Sequence, residues 1–448
     1  MNKSKDQSKL QESKLAPPPK NLPLYGRDKP EFVSYVAWSN YEAALEQKRF
    51  LFGVRRRDLR RNTMVIGRPG MGKTKLLQVM ARQDIANGYG CCVLDYRGEL
   101  TKNLIQDIPE ERLEDVIIFD PTKDELRIHM NPLEDVSEEF RYPMVRIIEQ
   151  TLQSMYGELW NPKLEYIVHT TFSTVLSSKE PTLALAYELL TDPTLREQAL
   201  STVEDENLKE FWTESYPEWE EKHEADAVLP FINILRNLIS HPAVHDVYST
   251  SGSAVDFTEL VKEKKIVLVQ MRPDRIGDTT ATFFGVLVLA RYLEQAQART
   301  MQEVNVIRRD YPMYIDEFPR LDHSLLQNFL GAGGSLGLPF VLALNSTTSI
   351  DADIAQRLLA KTDNLFCFRL FSEDASRLRS EMLPVFDTRD LQNLGPRDMY
   401  CRIVIDNELT IPFSAETLEV HPAPNSLTVD EVIEYVTDQY GLPAQGLY

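Results

Sequence analysis

From residue 63 onward, short apolar runs alternate with stretches whose apolar residues recur every three to four positions. Residues 63–66, 90–95 and 116–120 read as strands, and 73–86 as an amphipathic helix. Such alternation is that of a parallel sheet covered on both faces. From about 137 to 248 the period is helical, over 142–155, 164–176, 183–190 and 228–238. Strands return at 265–271, a long helix is expected near 277–301, and further strands at 313–316, 339–344 and 365–370. The pattern predicts an α/β domain into which an all-α domain is inserted, with a short helix near 429–440 closing the chain.

The most specific chemistry lies between the first strand and the first helix. Gly67-Arg68-Pro69-Gly70-Met71-Gly72-Lys73-Thr74 fits G-x-x-x-x-G-K-[ST], the P-loop. Its glycines let backbone N–H groups curl around phosphate oxygens where a side chain would obstruct them. The following helix turns its N-terminal dipole towards the same anion. Lys73 is expected to reach the β- and γ-phosphates, and the Thr74 hydroxyl to ligate Mg²⁺.

A P-loop needs an acidic partner for its metal. The run 311–318 is a largely apolar strand ending in Asp316 and Glu317. Asp316 is the expected second Mg²⁺ ligand, and Glu317 the base that orients and polarises the attacking water. An acidic pair at the C-terminal end of an apolar strand stands where open α/β sheets bind ligands. Glu317 also separates reaction classes, because an activated water suits a hydrolase and harms a small-molecule kinase. The guanine-reading N-K-x-D has no full match; Ala360-Lys361-Thr362-Asp363 lacks its first residue, so the expected nucleotide is ATP.

Some 240 residues part Thr74 from Asp316, and the helical insertion accounts for that gap. The expected organisation is a disordered polar tail (1–30), a first nucleotide-binding part (31–136) and an inserted all-α domain (137–250). A second nucleotide-binding part (251–424) and a helical tail (425–448) follow.

Charge changes the picture more than composition does. The chain of 448 residues has 49 Lys and Arg against 68 Asp and Glu, a net charge of -19. Such a surface does not coat nucleic acid or anionic membrane indiscriminately, although local basic patches still can. Arg55, Arg56, Arg57, Arg60 and Arg61 form one cluster; it serves either phosphates or DNA, or simply solvates a loop edge. His241 and His245 stand four apart without a third ligand, and read as structural. Four cysteines without C-x-x-C spacing suit a reducing compartment. The longest apolar stretch, about 283–290, falls short of a membrane span, and no apolar core follows the polar start of the chain. A cytoplasmic protein is expected, held at a membrane only through partners.

Beyond the P-loop, Phe52-Gly53-Val54-Arg55-Arg56 precedes the motif, and Asp95-Tyr96-Arg97-Gly98-Glu99-Leu100 is similar to a D-P-x-G-D-L segment. Residues 116–121, Asn131-Pro132-Leu133, Arg275-Ile276-Gly277, 316–318, Phe368-Arg369 and Glu373-Asp374-Ala375 extend the likeness over about 50–445. Together they resemble the conjugative DNA-transfer ATPases, the TraD- and TraG-like coupling proteins of type IV secretion in the FtsK–HerA superfamily. The resemblance implies a RecA-like P-loop sheet with an all-α insertion, working as a homo-hexameric ring that pumps DNA on ATP and Mg²⁺. It implies membrane-bound secretion or relaxosome partners. It marks Arg369 as the candidate arginine finger, with Arg357 in reserve. Where the family carries His-Gln, this chain has Leu344-Asn345, making Asn345 a shorter sensor amide. The alternatives are a HerA-like packaging or processing translocase, and an ATP-dependent assembly or adaptor module that moves protein.

Overall fold

The computed structural model describes residues 13–41, 49–120, 123, 128, 130–242, 244–245, 252, 255–302, 310–317, 323–348, 350, 352–420 and 427–440. Among these residues the strands are β1 (Val33–Ser39), β2 (Leu51–Arg55), β3 (Thr63–Ile66), β4 (Cys91–Asp95), β5 (Val116–Phe119), β6 (Ile266–Gln270) and β7 (Met313–Asp316). They continue with β8 (Phe340–Leu344), β9 (Asn364–Cys367), β10 (Asp398–Arg402), β11 (Val404–Ile405), β12 (Glu408–Leu409) and β13 (Phe413–Thr417). The chain divides into two compact units, one of Met1–Asn87 with Pro339–His421, the other of Gly88–Leu338 with Pro422–Tyr448.

In the first unit the strands run in the order β2-β1-β13-β10-β9-β3-β8. β3 lies parallel to both β8 and β9, with Ile66 opposite Leu344 on one side and Cys367 on the other. All three are buried along their length, which explains their unbroken apolar sequences. The helix Lys73–Ala86 packs on β1 and β8 and buries Leu76, Leu77, Met80 and Ile85. β10, β13, β1 and β2 extend the sheet by antiparallel pairing. These four strands were not among the sequence expectations.

The polar tail expected over 1–30 is corrected by the structure from residue 13 onward. Ser13 Oγ donates to Asp398 Oδ2 at 2.9 Å, Ala16 N donates to Ser414 Oγ at 2.9 Å, and Ala16 and Leu22 are buried. A Pro-rich segment has no core of its own, yet here it docks against β10 and β13, strands already paired on both sides, through their side chains and the Ser414 backbone.

In the second unit β7-β4-β6-β5 are all parallel, with Asp95 opposite both Asp316 and Gln270. The helix Asp278–Gln302 joins β6 towards β7, and the helix Glu138–Met155 packs on it. Capping residues begin several helices of this stretch: Asn161, Thr182, Asp192 and Asp205 each accept a backbone N–H of the first turn. Helices from Glu138–Met155 to Leu229–Ile239 fill the stretch expected as an all-α insertion, 137–250, and they group with strands β4 to β7 in one unit. Ser137 N donates to Glu294 Oε1 at 2.7 Å, and buried Arg291 reaches Glu294 at 3.2 Å and donates to Asp135 O at 3.1 Å. Such buried polar ties bind the helices to 278–302. The helix Val429–Tyr440 packs on β5.

Cys91, Cys92, Cys367 and Cys401 are all free thiols buried in strands. Burial pushes the Cys92 thiol up to about 12.

Candidate nucleotide site

The loop between β3 and the helix Lys73–Ala86 is shaped by its glycines. Gly70 and Gly72 have φ of 76° and 117°, a region costly to any residue with a Cβ. A Cβ on Gly67 would stand 2.5 Å from Phe368 Cβ, so that position is closed by packing rather than by torsion. The loop is also stitched to its neighbours. Gly67 N donates to Leu344 O at 3.2 Å, and Arg68 N to Arg369 O at 2.8 Å. Lys73 is buried and curls back over the loop, donating to Gly67 O at 2.7 Å and Arg68 O at 3.0 Å. The Arg68 side chain turns elsewhere: Nε donates to Leu370 O at 3.1 Å, and the guanidinium lies 4.6 Å from the Phe371 ring centre.

Parallel strands end together here, at the edge where open α/β sheets bind ligands. The register that sets Ile66 beside Leu344 and Cys367 brings Asn345 and Phe368 level with Gly67. Asn345, Lys73 and the loop thus belong to one edge of the first unit. Arg369 follows one residue later, on the flank of its own P-loop, and its Nε donates to Leu394 O.

Asp316 and Glu317 belong to the second unit. Asp316 ends β7 and is buried; Glu317 follows in the left-handed region at φ 66°. For a residue with a Cβ that is an uncommon backbone state, of the kind that gathers at functional sites. Glu317 Oε1 is ion-paired with Arg97 Nε at 2.7 Å. Arg97 belongs to the turn after β4, whose shape Asp95 controls. Asp95 Oδ1 accepts from Arg97 N at 3.0 Å and Gly98 N at 2.8 Å, while Oδ2 accepts from Thr101 N at 2.8 Å. Burial raises the Asp95 pKa, and these three donors oppose the rise. A Cβ on Gly98 would meet Gln270 Oε1 at 2.7 Å, with φ at 79°.

Sequence reasoning had passed over Arg97 as an individual residue, although it stands within a segment noted for its likeness. Phe318, the last residue of the acidic motif, lies outside the described residues. The arginine cluster before β3 is engaged with acids of its own unit: Arg55 with Asp406 at 2.9 Å, Arg57 with Asp406, Arg56 with Asp84, and Arg61 with Asp363 at 3.4 Å. It lies at the N-terminal end of β3, away from the P-loop edge.

A family model described as the type IV secretion-system coupling protein DNA-binding domain matches residues 53–393, about three quarters of the chain. The chain belongs to this coupling-protein family. The coupling-protein fold is seen again in solved structures. The plasmid coupling protein TrwB in complex with GDPNP is 15% identical, with a TM-score of 0.61 over 84% of this chain and 90% of that one. TrwB with ADP and Mg²⁺ is 14% identical, with a TM-score of 0.59 over 83% and 88%. VirB4 of Thermoanaerobacter pseudethanolicus is 14% identical, with a TM-score of 0.57 over 80% and 89%. At such identities the likeness concerns the α/β fold. No curated protein sequence matches the chain at a significant level. Among the described residues, no helix of this coupling-family chain is long and apolar enough to cross a membrane.

Proposed function

We propose that the chain is an ATP-hydrolysing DNA translocase, the coupling ATPase of conjugative DNA transfer by type IV secretion, acting as a homo-hexamer. The supporting observation is the glycine-shaped loop with Lys73 folded over it, in a member of the coupling-protein family. The plasmid relative TrwB has been solved with ADP and Mg²⁺ and with a non-hydrolysable ATP analogue, which supports the same ligands here.

The loop fits a polyphosphate, because a Cβ at Gly67, Gly70 or Gly72 is refused by contact or by torsion. Its N–H groups and the helix N-terminus would hold the phosphate oxygens, with Lys73 exchanging Gly67 O and Arg68 O for them. The Thr74 hydroxyl and the Asp316 carboxylate would each be an oxygen donor of the kind that suits a hard cation such as Mg²⁺. When bound, the ion would supply neutralising charge on the phosphates. Glu317 would accept the proton of the attacking water, and Asn345 would donate its amide N–H to the γ-phosphate. Arg369 would reach the nucleotide of a neighbouring subunit in the ring.

A protein-moving adaptor is the second reading, favoured by the net charge of -19. Turnover of ATP with and without single- and double-stranded DNA, across a salt series, separates the two. The translocase should be stimulated by DNA at low salt, with little sequence preference and a steep loss as salt rises. If neither form of DNA changes turnover at any salt, while the nucleotide site and oligomer are intact, the adaptor reading takes its place.

A further inference from the structure

The chain that follows Asn345 is held by one buried carboxylate. Asp374 has no exposed surface. Its Oδ1 accepts from Thr347 N at 2.7 Å and from Thr347 Oγ1 at 2.6 Å, and its Oδ2 accepts from Ser346 Oγ at 2.7 Å. One turn along the helix Ser372–Met382, Arg377 Nη1 donates to Thr347 O at 3.0 Å, and Nη2 reaches Glu373 Oε1 at 2.7 Å. Both backbone polar groups of Thr347 and its hydroxyl therefore end on one helix.

Hydrogen bonds to an ionised carboxylate are about twice as strong as neutral ones. In a dry setting, their loss leaves donors with nothing to replace the carboxylate. A simple account is that Asp374 favours its own helix, since it lies in the first turn where negative charge is stabilised. That accounts for the charge but not for its use: three hydrogen bonds go to residues 346 and 347, immediately after Asn345. Asn345 in turn follows Leu344, whose carbonyl receives Gly67 N.

We infer that Asp374 is a positioning residue for Asn345. By pinning residues 346 and 347 to the helix Ser372–Met382, it holds the Asn345 amide at the edge of β8 beside the P-loop. This deepens the reading of Asn345 as the γ-phosphate sensor and rests on it.

The test is the affinity of the full chain for ADP and for the ATP analogue ADPNP, both with Mg²⁺, and the ratio of the two. Asn345→Ala should cut the preference for ADPNP by about tenfold, the size of one lost charge-assisted hydrogen bond. Asp374→Ala should cut it as far while leaving ADP affinity within about twofold, and the double variant should fall no further, because both act through one contact. Asp374→Asn, which keeps acceptors for Thr347, should restore much of the ratio. If Asp374→Ala does not fold, Thr347→Val carries the same test, with an expected loss of about threefold. A wild-type ratio in Asp374→Ala or Thr347→Val, alongside a collapsed ratio in Asn345→Ala, overturns the positioning role and leaves the sensor standing. Losses that add in the double variant overturn it too. A wild-type ratio in Asn345→Ala removes the sensor, and the positioning role with it.

Discussion

Arg97 and Glu317 form an ion pair, Nε to Oε1 at 2.7 Å, with the arginine 60% exposed and the carboxylate largely covered. The group proposed as base is thus occupied by a cation of its own unit. A pair whose cation is so exposed is worth little in stability, so Arg97→Ala should fold normally. Its effect should appear in turnover: with the carboxylate released, hydrolysis without DNA should rise by about two- to fivefold, the scale of one weak ion pair. The ratio of DNA-stimulated to basal rate should fall accordingly. Unchanged basal turnover in Arg97→Ala would mean that the pair does not restrain the base.

Lys73 and Glu317 should fail differently when removed. Lys73→Ala takes away the cation folded over Gly67 O, and nucleotide affinity should collapse. Glu317→Gln keeps shape without basicity; ATP should stay bound while hydrolysis falls by about 10²–10⁴. Binding and single-turnover measurements on both variants check the split. Near-normal turnover in Glu317→Gln would remove that residue from the chemistry.

Two glycines of the loop are refused a side chain for different reasons, and the reasons predict different costs. In Gly67→Ala the new methyl meets Phe368 Cβ, which cannot swing aside, so folding stability should drop by about 1–3 kcal/mol. In Gly70→Ala the space is open and only the left-handed torsion is paid, a cost of about 1–2 kcal/mol that a local loop change can relieve. Both should weaken nucleotide binding, but Gly67→Ala should lower Tm further. Equal melting temperatures would argue against the Phe368 contact.

Arg369 is oriented by Leu394 O on the flank of its own P-loop. If it nonetheless serves a neighbour, Arg369→Ala and Glu317→Gln subunits, each inactive alone, should regain part of the activity when mixed. Mixtures that stay as inactive as either parent, or a protein that remains monomeric with ATP, would end the trans assignment.

Where consecutive residues carry the signal, the fold was readable. The expected strands at 63–66 and 313–316 are β3 and β7, and the expected helix at 73–86 is Lys73–Ala86. Fully buried parallel strands and a one-sided helix leave clear hydrophobic patterns. β13 does not, because its buried Ser414 is satisfied by Ala16 rather than by solvent, and a polar letter then hides an interior position. β1 is buried on nearly every residue, so it lacks the alternation of a half-exposed antiparallel strand. The site divides in the same way. The P-loop and the acidic pair are runs of neighbours, whereas Arg97 meets Glu317 across 220 positions and Asp374 meets Thr347 across 27. Contacts closed by topology have no spacing rule to reveal them, and the Ser137–Glu294 bond that ties the helical stretch to 278–302 is another of that kind.

The burial of Cys91, Cys92, Cys367 and Cys401 has a practical side. A thiol reacts as its thiolate, and one that is sealed in a strand with a raised pKa offers almost none. The native molecule should therefore react little with maleimides and iodoacetamide. A single cysteine introduced on the exposed arc of the helix Tyr216–His223, at Glu220 for instance, would take a fluorophore alone, on the natural background. Reporters of subunit exchange and of nucleotide-driven motion can be installed without first stripping the chain of its own sulfur.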